Sequence, residues 1–191
     1  SSDLIIQYAE PSVSSRRLIM GKIKPDGLNA FIEAVKTEKP DIVHFQELAG
    51  GNGITLHHVL AAKKLNCKVV VTFHVANYSC LTGNLLYKDK QPCDGAINIK
   101  KCSACYLNSK KLGVNKEKSI SILSNTAFYF NLNTTRLNNS VGSALGIPFI
   151  VEALKKRLNE LIKNSDKVIV ITKWYKQVLL NNGITSKKIG Y

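Results

Sequence analysis

The chain has 191 residues, 45% of them hydrophobic and 21% charged, proportions of a globular protein that exclude a disordered one. Lys and Arg number 27 against 13 Asp and Glu, a formal net charge of +14 that favours anionic partners. The basic residues are scattered over separate segments rather than gathered in one stripe, and no apolar run reaches the ~18 residues that would cross a bilayer.

In chain order, "PDGLNAFIEAVKTEKP" predicts a helix with Leu28, Phe31, Ile32 and Val35 on one face, Asp26 as N-cap and Pro40 as stop. "PDIVHFQ" reads as a buried strand that takes His44 inside. "ITLHHVLAAKKLN" predicts a second helix, capped by Thr55, with Val59 and Leu60 facing inward and His57 and His58 on its flank. "CKVVVTFH" is the next strand, with Cys67 a core residue at its mouth. Residues 75–106 show neither helical nor strand period, and a loop of that length needs something to hold it. "SISILSNTAFYFNLNTTRLNNSVGSALG" is weakly amphipathic and reads as a helix followed by a loop. "IPFIVEALKKRLNELIKNS" is the longest helix, with Val151, Leu154, Leu158, Leu161 and Ile162 on one stripe. "DKVIVIT" is a third strand, and "TKWYKQVLLNNG" a helix closed by Gly183.

Strands and helices alternate, and the strands are continuously apolar. This predicts an α/β fold: a Rossmann-like parallel sheet with helices on both faces, forming a single domain over 1–191 with one Cys-rich insertion loop at 75–106. Ligands of such sheets bind beyond the carboxyl ends of the strands. The residues after "IVHF" and "VVVTF" are therefore the first candidates for chemistry.

Four of the five cysteines, Cys80, Cys93, Cys102 and Cys105, fall in the insertion with the spacing C-x12-C-x8-C-x2-C. In a reducing compartment clustered cysteines point first to a metal, and four thiolates suit tetrahedral Zn²⁺. The alternatives are buried free thiols, or one or two disulfides if the chain is exported. The opening "SSDLIIQYAEPSVSSRRLIM" lacks the layout of a secretory leader, so a cytoplasmic location is expected.

"TFHVANYSC", then "CDG", then "CSAC" together resemble glycosyltransferase family 4, many of whose members carry T-L-H-D-x-W…C…C-x-G…C-x-x-C in this place. "EKPDIVHFQELAGGNGITLHHVLAAKKLNCKVVVTFH" is similar to the family's strand–helix–strand unit. "NSDKVIVITKWYKQVLLNNGITSKKIGY" resembles the segment that precedes its interdomain linker. The resemblance covers about residues 25–106 and 148–191. It implies the acceptor-side half of a two-domain GT-B enzyme, a retaining glycosyltransferase that moves a sugar from a nucleotide-sugar donor to a saccharide or lipid-linked acceptor. The family's opening strand–helix unit and its donor domain with the E-x7-E element have no counterpart here, so a fragment inactive alone is expected.

The resemblance implies that His74, at the end of the second strand, is the catalytic residue. An imidazole there can hydrogen-bond a sugar hydroxyl or the reacting oxygen. The loop after the first strand supplies the expected substrate-binding residues Gln46, Glu47, Gly51, Asn52 and Gly53, the glycines allowing backbone N–H groups to approach a ligand. The family's aspartate after the histidine is replaced by Val75. The family needs no metal at the reacting centre, so zinc on Cys80, Cys93, Cys102 and Cys105 is expected to be structural. The expected partners are a nucleotide-sugar, a sugar or glycolipid acceptor and, peripherally, the anionic inner face of a membrane. A zinc-containing basic nucleic-acid-binding module is the alternative. Such binders gather arginine and exposed aromatics beside the metal, where this loop has only Tyr78, Tyr87 and Tyr106. Nucleic acid is therefore not the expected partner.

Overall fold

A computed structural model describes residues 24–25, 27–48, 53–137 and 140–191. Contacts divide the described chain into two compact units: residues up to Val75 with Asn159–Lys173 and Thr185–Tyr191, and Ala76–Leu158 with Trp174–Ile184.

The first unit holds a parallel sheet. Among the described residues its strands are β1 (Ile42–Phe45), β2 (Lys68–Phe73), β5 (Lys167–Val170) and β6 (Ile189–Gly190), in the order β1-β2-β5-β6. Val43 pairs with Val69, Val71 with Val168, and Val168 with Ile189, all in parallel register. Val69, Val71, Phe73, Val168 and Val170 are buried, as apolar runs in a sheet flanked by helices should be. The fold is α/β and Rossmann-like.

Helix α1 (Leu28–Glu38) ends where Lys39 turns into the left-handed region, just before Pro40. Its expected cap, Asp26, lies outside the described residues. Leu28 and Val35 are buried, and Phe31 packs against Phe45 of β1 with ring centroids 5.9 Å apart. Helix α2 (Leu56–Lys64) starts at a reciprocal cap: the Thr55 side chain accepts the His57 N–H, and His58 Nδ1 accepts the Thr55 N–H at 3.0 Å. His58 is fully buried, edge-on to Phe31. Burial, opposed in part by its bond to Thr55 and reinforced by neighbouring His57, lowers its pKa to about 4. The imidazole is therefore neutral and serves as an acceptor.

At the amino edge of the sheet Asp166 accepts the Val69 N–H at 2.7 Å and pairs with Lys63 of α2 at 2.9 Å. These bonds, the first to backbone, lower its pKa. Lys188 closes the carboxyl end of the long helix by donating to the carbonyls of Ile162 and Ser165.

In the second unit, residues expected to lack regular structure form a short hairpin, β3 (Leu86–Tyr87) with β4 (Gln91–Pro92), followed by helix α3 (Ile99–Ser109). Leu85, Lys88 and Asp89 all have positive φ, a cost of about 1 kcal/mol each for residues with a Cβ. That conformation has no hydrophobic period to announce it. Helix α4 (Val114–Tyr129), helix α5 (Ser140–Leu145) and a 3₁₀ turn at Thr134–Arg136 occupy the polar segment expected to be helix then loop. Helix α6 (Ile147–Asn164) buries Val151, Leu154, Leu158, Leu161 and Ile162, the predicted stripe; it belongs to the second unit up to Leu158 and to the first beyond. Tyr78 is buried with Arg157 over its ring and bonded to its hydroxyl at 3.1 Å.

Helix α7 (Lys173–Asn181) ends at Gly183, whose φ of +83° lets the Ile184 N–H reach back to the Leu179 carbonyl. The side chain of Asn182 accepts the Ile97 N–H and donates to the Gly95 carbonyl, fixing the strand-like segment before α3. Among the described residues no helix is long and apolar enough to cross a membrane.

Candidate functional site

Residues 46–48 and 74–75 follow the carboxyl ends of the adjacent parallel strands β1 and β2, so the sheet brings Gln46, Glu47 and His74 together. Glu47 Oε2 accepts the N–H of His74 at 2.7 Å and of Val75 at 2.9 Å, and its Oε1 accepts the Leu48 N–H at 3.0 Å. This carboxylate, expected among the substrate-binding groups, is held on the backbone of the segment that carries His74. Val75 stands where the resemblance leads one to expect an acid, and the carboxyl group at this edge, that of Glu47, comes from the segment after β1.

The side chains form a relay. His44 Nε2 lies 2.8 Å from Thr72 Oγ1, Gln46 Nε2 lies 3.4 Å from His44 Nδ1, and His74 Nε2 lies 3.4 Å from Gln46 Oε1. An amide nitrogen only donates and an amide oxygen only accepts. The two 3.4 Å contacts are long and weak, and which ring nitrogen of each histidine donates depends on its tautomer. His74 and Gln46 are exposed, as a group that meets a ligand must be. His44, expected inside, is exposed as well: β1 is an edge strand among the described ones, with only Phe45 of its residues buried. Thr72 and His44 were not anticipated as parts of this site; their two-residue offsets from His74 and Gln46 along their strands were the available signal.

Of the glycine loop, Gly51 and Asn52 lie outside the described residues. Gly53 has a φ of +83° and sits two residues before the Thr55 cap. The first turn of α2 already gives the His57 N–H to Thr55, which leaves less of that helix start for a ligand than the sequence suggested. A wide depression of about 740 Å³ lies at the opposite, amino ends of β1 and β2, between Lys39, Asp41, Asn66 and Lys68. It is the wrong edge for a site of this fold.

In the second unit all four insertion cysteines line one cavity of about 30 Å³, together with Lys101 and Tyr106. Cys80 follows the turn that opens the unit, Cys93 follows β4, and Cys102 and Cys105 lie one helical turn apart on α3. Cys105 Sγ accepts the Lys88 N–H at 3.2 Å, and Cys80 Sγ lies 3.2 Å from Thr82 Oγ1. Burial pushes the Cys102 and Cys105 thiols up, and the nearby thiols of Cys80 and Cys93 push both the same way. Lys101 is paired with Asp94. Burial alone would lower its pKa, but Asp94 and the Cys93 and Cys102 sulfurs outweigh that and raise it. The five cysteines are free thiols, with Cys67 buried in the other unit as expected. Among the described residues no group of three or more His, Cys, Asp or Glu side chains is arranged to hold a metal ion.

Comparison of the chain with family models, with curated proteins and with solved structures finds no match.

Proposed function

We propose that this chain is the acceptor-binding half of a retaining glycosyltransferase, with the nucleotide-sugar donor held mainly by a second domain. The single observation that carries the reading is the placement of His74. It is an exposed imidazole at the carboxyl edge of a parallel sheet, its backbone N–H gripped by Glu47 and its Nε2 facing the Gln46 amide oxygen. An imidazole so placed offers ring nitrogens to a sugar hydroxyl or to the oxygen on which charge develops during transfer. Gln46 offers an adaptable amide beside it, and Gly53 a backbone turn free of a side chain.

The acceptor is a saccharide or a lipid-linked saccharide, and the cytoplasmic face of an anionic membrane is the surface at which a lipid-linked one is met. The net charge of +14 supports that reading. So does the outward face of α4 and its end, where Ile122, Leu123, Tyr129 and Phe130 are exposed.

The test is an NMR titration of the ¹⁵N-labelled chain with neutral oligosaccharides and short-chain lipid-linked saccharides. The amides of Gln46, Gly53, His74 and Val75 should shift together. Shifts confined to lysine-rich segments on adding DNA or RNA, and lost with added salt, would instead favour a nucleic-acid-binding module.

A further inference from the structure

We infer that Cys80, Cys93, Cys102 and Cys105 form a tetrathiolate site for one zinc ion, which locks the β3–β4 hairpin onto α3. The inference does not depend on the transferase reading, because it rests on residues of the second unit and uses none of the groups around His74.

Three features of the cavity carry it. The first is convergence: thiols from a turn, the end of a hairpin and one face of a helix line a single space, although the outermost are separated by the whole insertion in sequence. Residues three apart on a helix project side by side, so Cys102 and Cys105 form the chelating pair that structural zinc sites usually contain. The second is size. A space of about 30 Å³ admits one or two water-sized bodies and excludes a sugar, a nucleotide or any organic cofactor. An ion is the ligand class that fits.

The third is the surrounding charge and hydrogen bonding. Zinc with four thiolates carries a net charge of −2, which needs offsetting when partly buried. Lys101, whose ammonium is shared with Asp94, lines the cavity, and the Lys88 backbone N–H points at Cys105 Sγ at 3.2 Å, the kind of N–H···S bond that steadies a thiolate ligand. Two of the thiol hydrogens have long contacts, Cys105 to the Leu86 carbonyl at 3.5 Å and Cys93 to Asp94 at 3.7 Å, while Cys80 lies 3.2 Å from Thr82 Oγ1. Binding exchanges these contacts for four Zn–S bonds: Zn²⁺ displaces one proton from each thiol, and four protons pass to solvent. The side chains must turn inward to close on the ion, since they are not arranged around it as they stand.

The experiment is zinc analysis of the whole chain, purified without chelator from zinc-supplemented cells, together with cobalt substitution followed by absorption. The expected result is about one zinc per chain and, on cobalt exchange, the intense visible bands of tetrahedral thiolate-bound cobalt. Cys102→Ser and Cys80→Ser should each abolish those bands, whereas Cys67→Ser should leave both the zinc and the bands unchanged. If the serine variants fail to fold, the wild-type cobalt spectrum and the Cys67→Ser control decide the matter alone. The inference is overturned by a folded wild-type chain that retains no zinc and gives no thiolate-cobalt bands. It is equally overturned by non-reducing mass spectrometry that finds these cysteines joined as disulfides, or by loss of metal in Cys67→Ser.

Discussion

Replacing Glu47 by alanine removes the acceptor for three backbone N–H groups at once, those of Leu48, His74 and Val75. A hydrogen bond to a charged acceptor contributes roughly 1.5–3 kcal/mol where water is excluded. His74 and Val75 are exposed, so water takes the place of the carboxylate there and the loss falls to about 0.5–1 kcal/mol per bond. With the bond to buried Leu48 taken at the low end of the first range, the sum is about 3 kcal/mol, which moves a urea midpoint by ~1–2 M at the slopes usual for small proteins. Glu47→Gln retains one oxygen able to accept from both His74 and Val75, but it turns an amide donor toward the Leu48 N–H, and about 1 kcal/mol is the expected loss. Urea unfolding followed by circular dichroism measures the totals, and amide exchange at His74 and Val75 locates them. Exchange there should accelerate in Glu47→Ala and change little in Glu47→Gln. An alanine variant with an unmoved midpoint and unchanged protection at both amides would refute the assignment of Glu47 as the anchor of the His74 segment.

His58 makes the fold acid-sensitive. Its pKa is about 4 when folded against 6.5 when unfolded, so the unfolded state binds the extra proton and stability falls as acid is added below about pH 6.5. On the order of 2–3 kcal/mol should be lost between pH 7.5 and 4.5. His58→Gln, which keeps an acceptor for the Thr55 N–H, should remove most of that slope in paired urea titrations; an unaltered slope would assign it elsewhere. Gly95→Ala would place a Cβ 2.5 Å from Val178 Cγ1 at a φ of +70°, against a β-branched side chain that is itself buried. About 3 kcal/mol of destabilisation is expected, visible as a melting temperature lower by roughly 6–12 °C; an unshifted melt would contradict the packing of α7 against the Gly95 turn.

The parts of the fold that could be read in advance were those with a strong local signal. Val69, Val71, Val168 and Val170 mark two central strands because burial on both faces selects continuous apolar runs. Thr55 and Gly183 mark helix ends because the free backbone groups of a first or last turn need particular residues. The hairpin at Leu86–Pro92 was invisible for the opposite reason: Leu85, Lys88 and Asp89 take a conformation their side chains disfavour, held by hydrogen bonds such as those of Asn84 to the Leu86 N–H and to Asp89. His44 was misjudged because burial was inferred from apolar neighbours in sequence, whereas exposure depends on where a strand stands in its sheet. At the site, His74 was legible as the last polar residue of a buried strand. The role of Glu47 was not, because its partners are backbone groups 27 and 28 residues away, and no pattern of side chains encodes them.

The most direct test is sugar transfer by the protein together with the donor domain proposed above, assayed with a panel of nucleotide-sugars and carried out on the wild type and on His74→Ala. The account predicts transfer with retained anomeric configuration by the wild type. In the variant, kcat should fall by about 10²–10⁴ with an unmoved urea midpoint. A wild-type protein that transfers no sugar from any donor, or a His74→Ala variant with undiminished kcat, would contradict it.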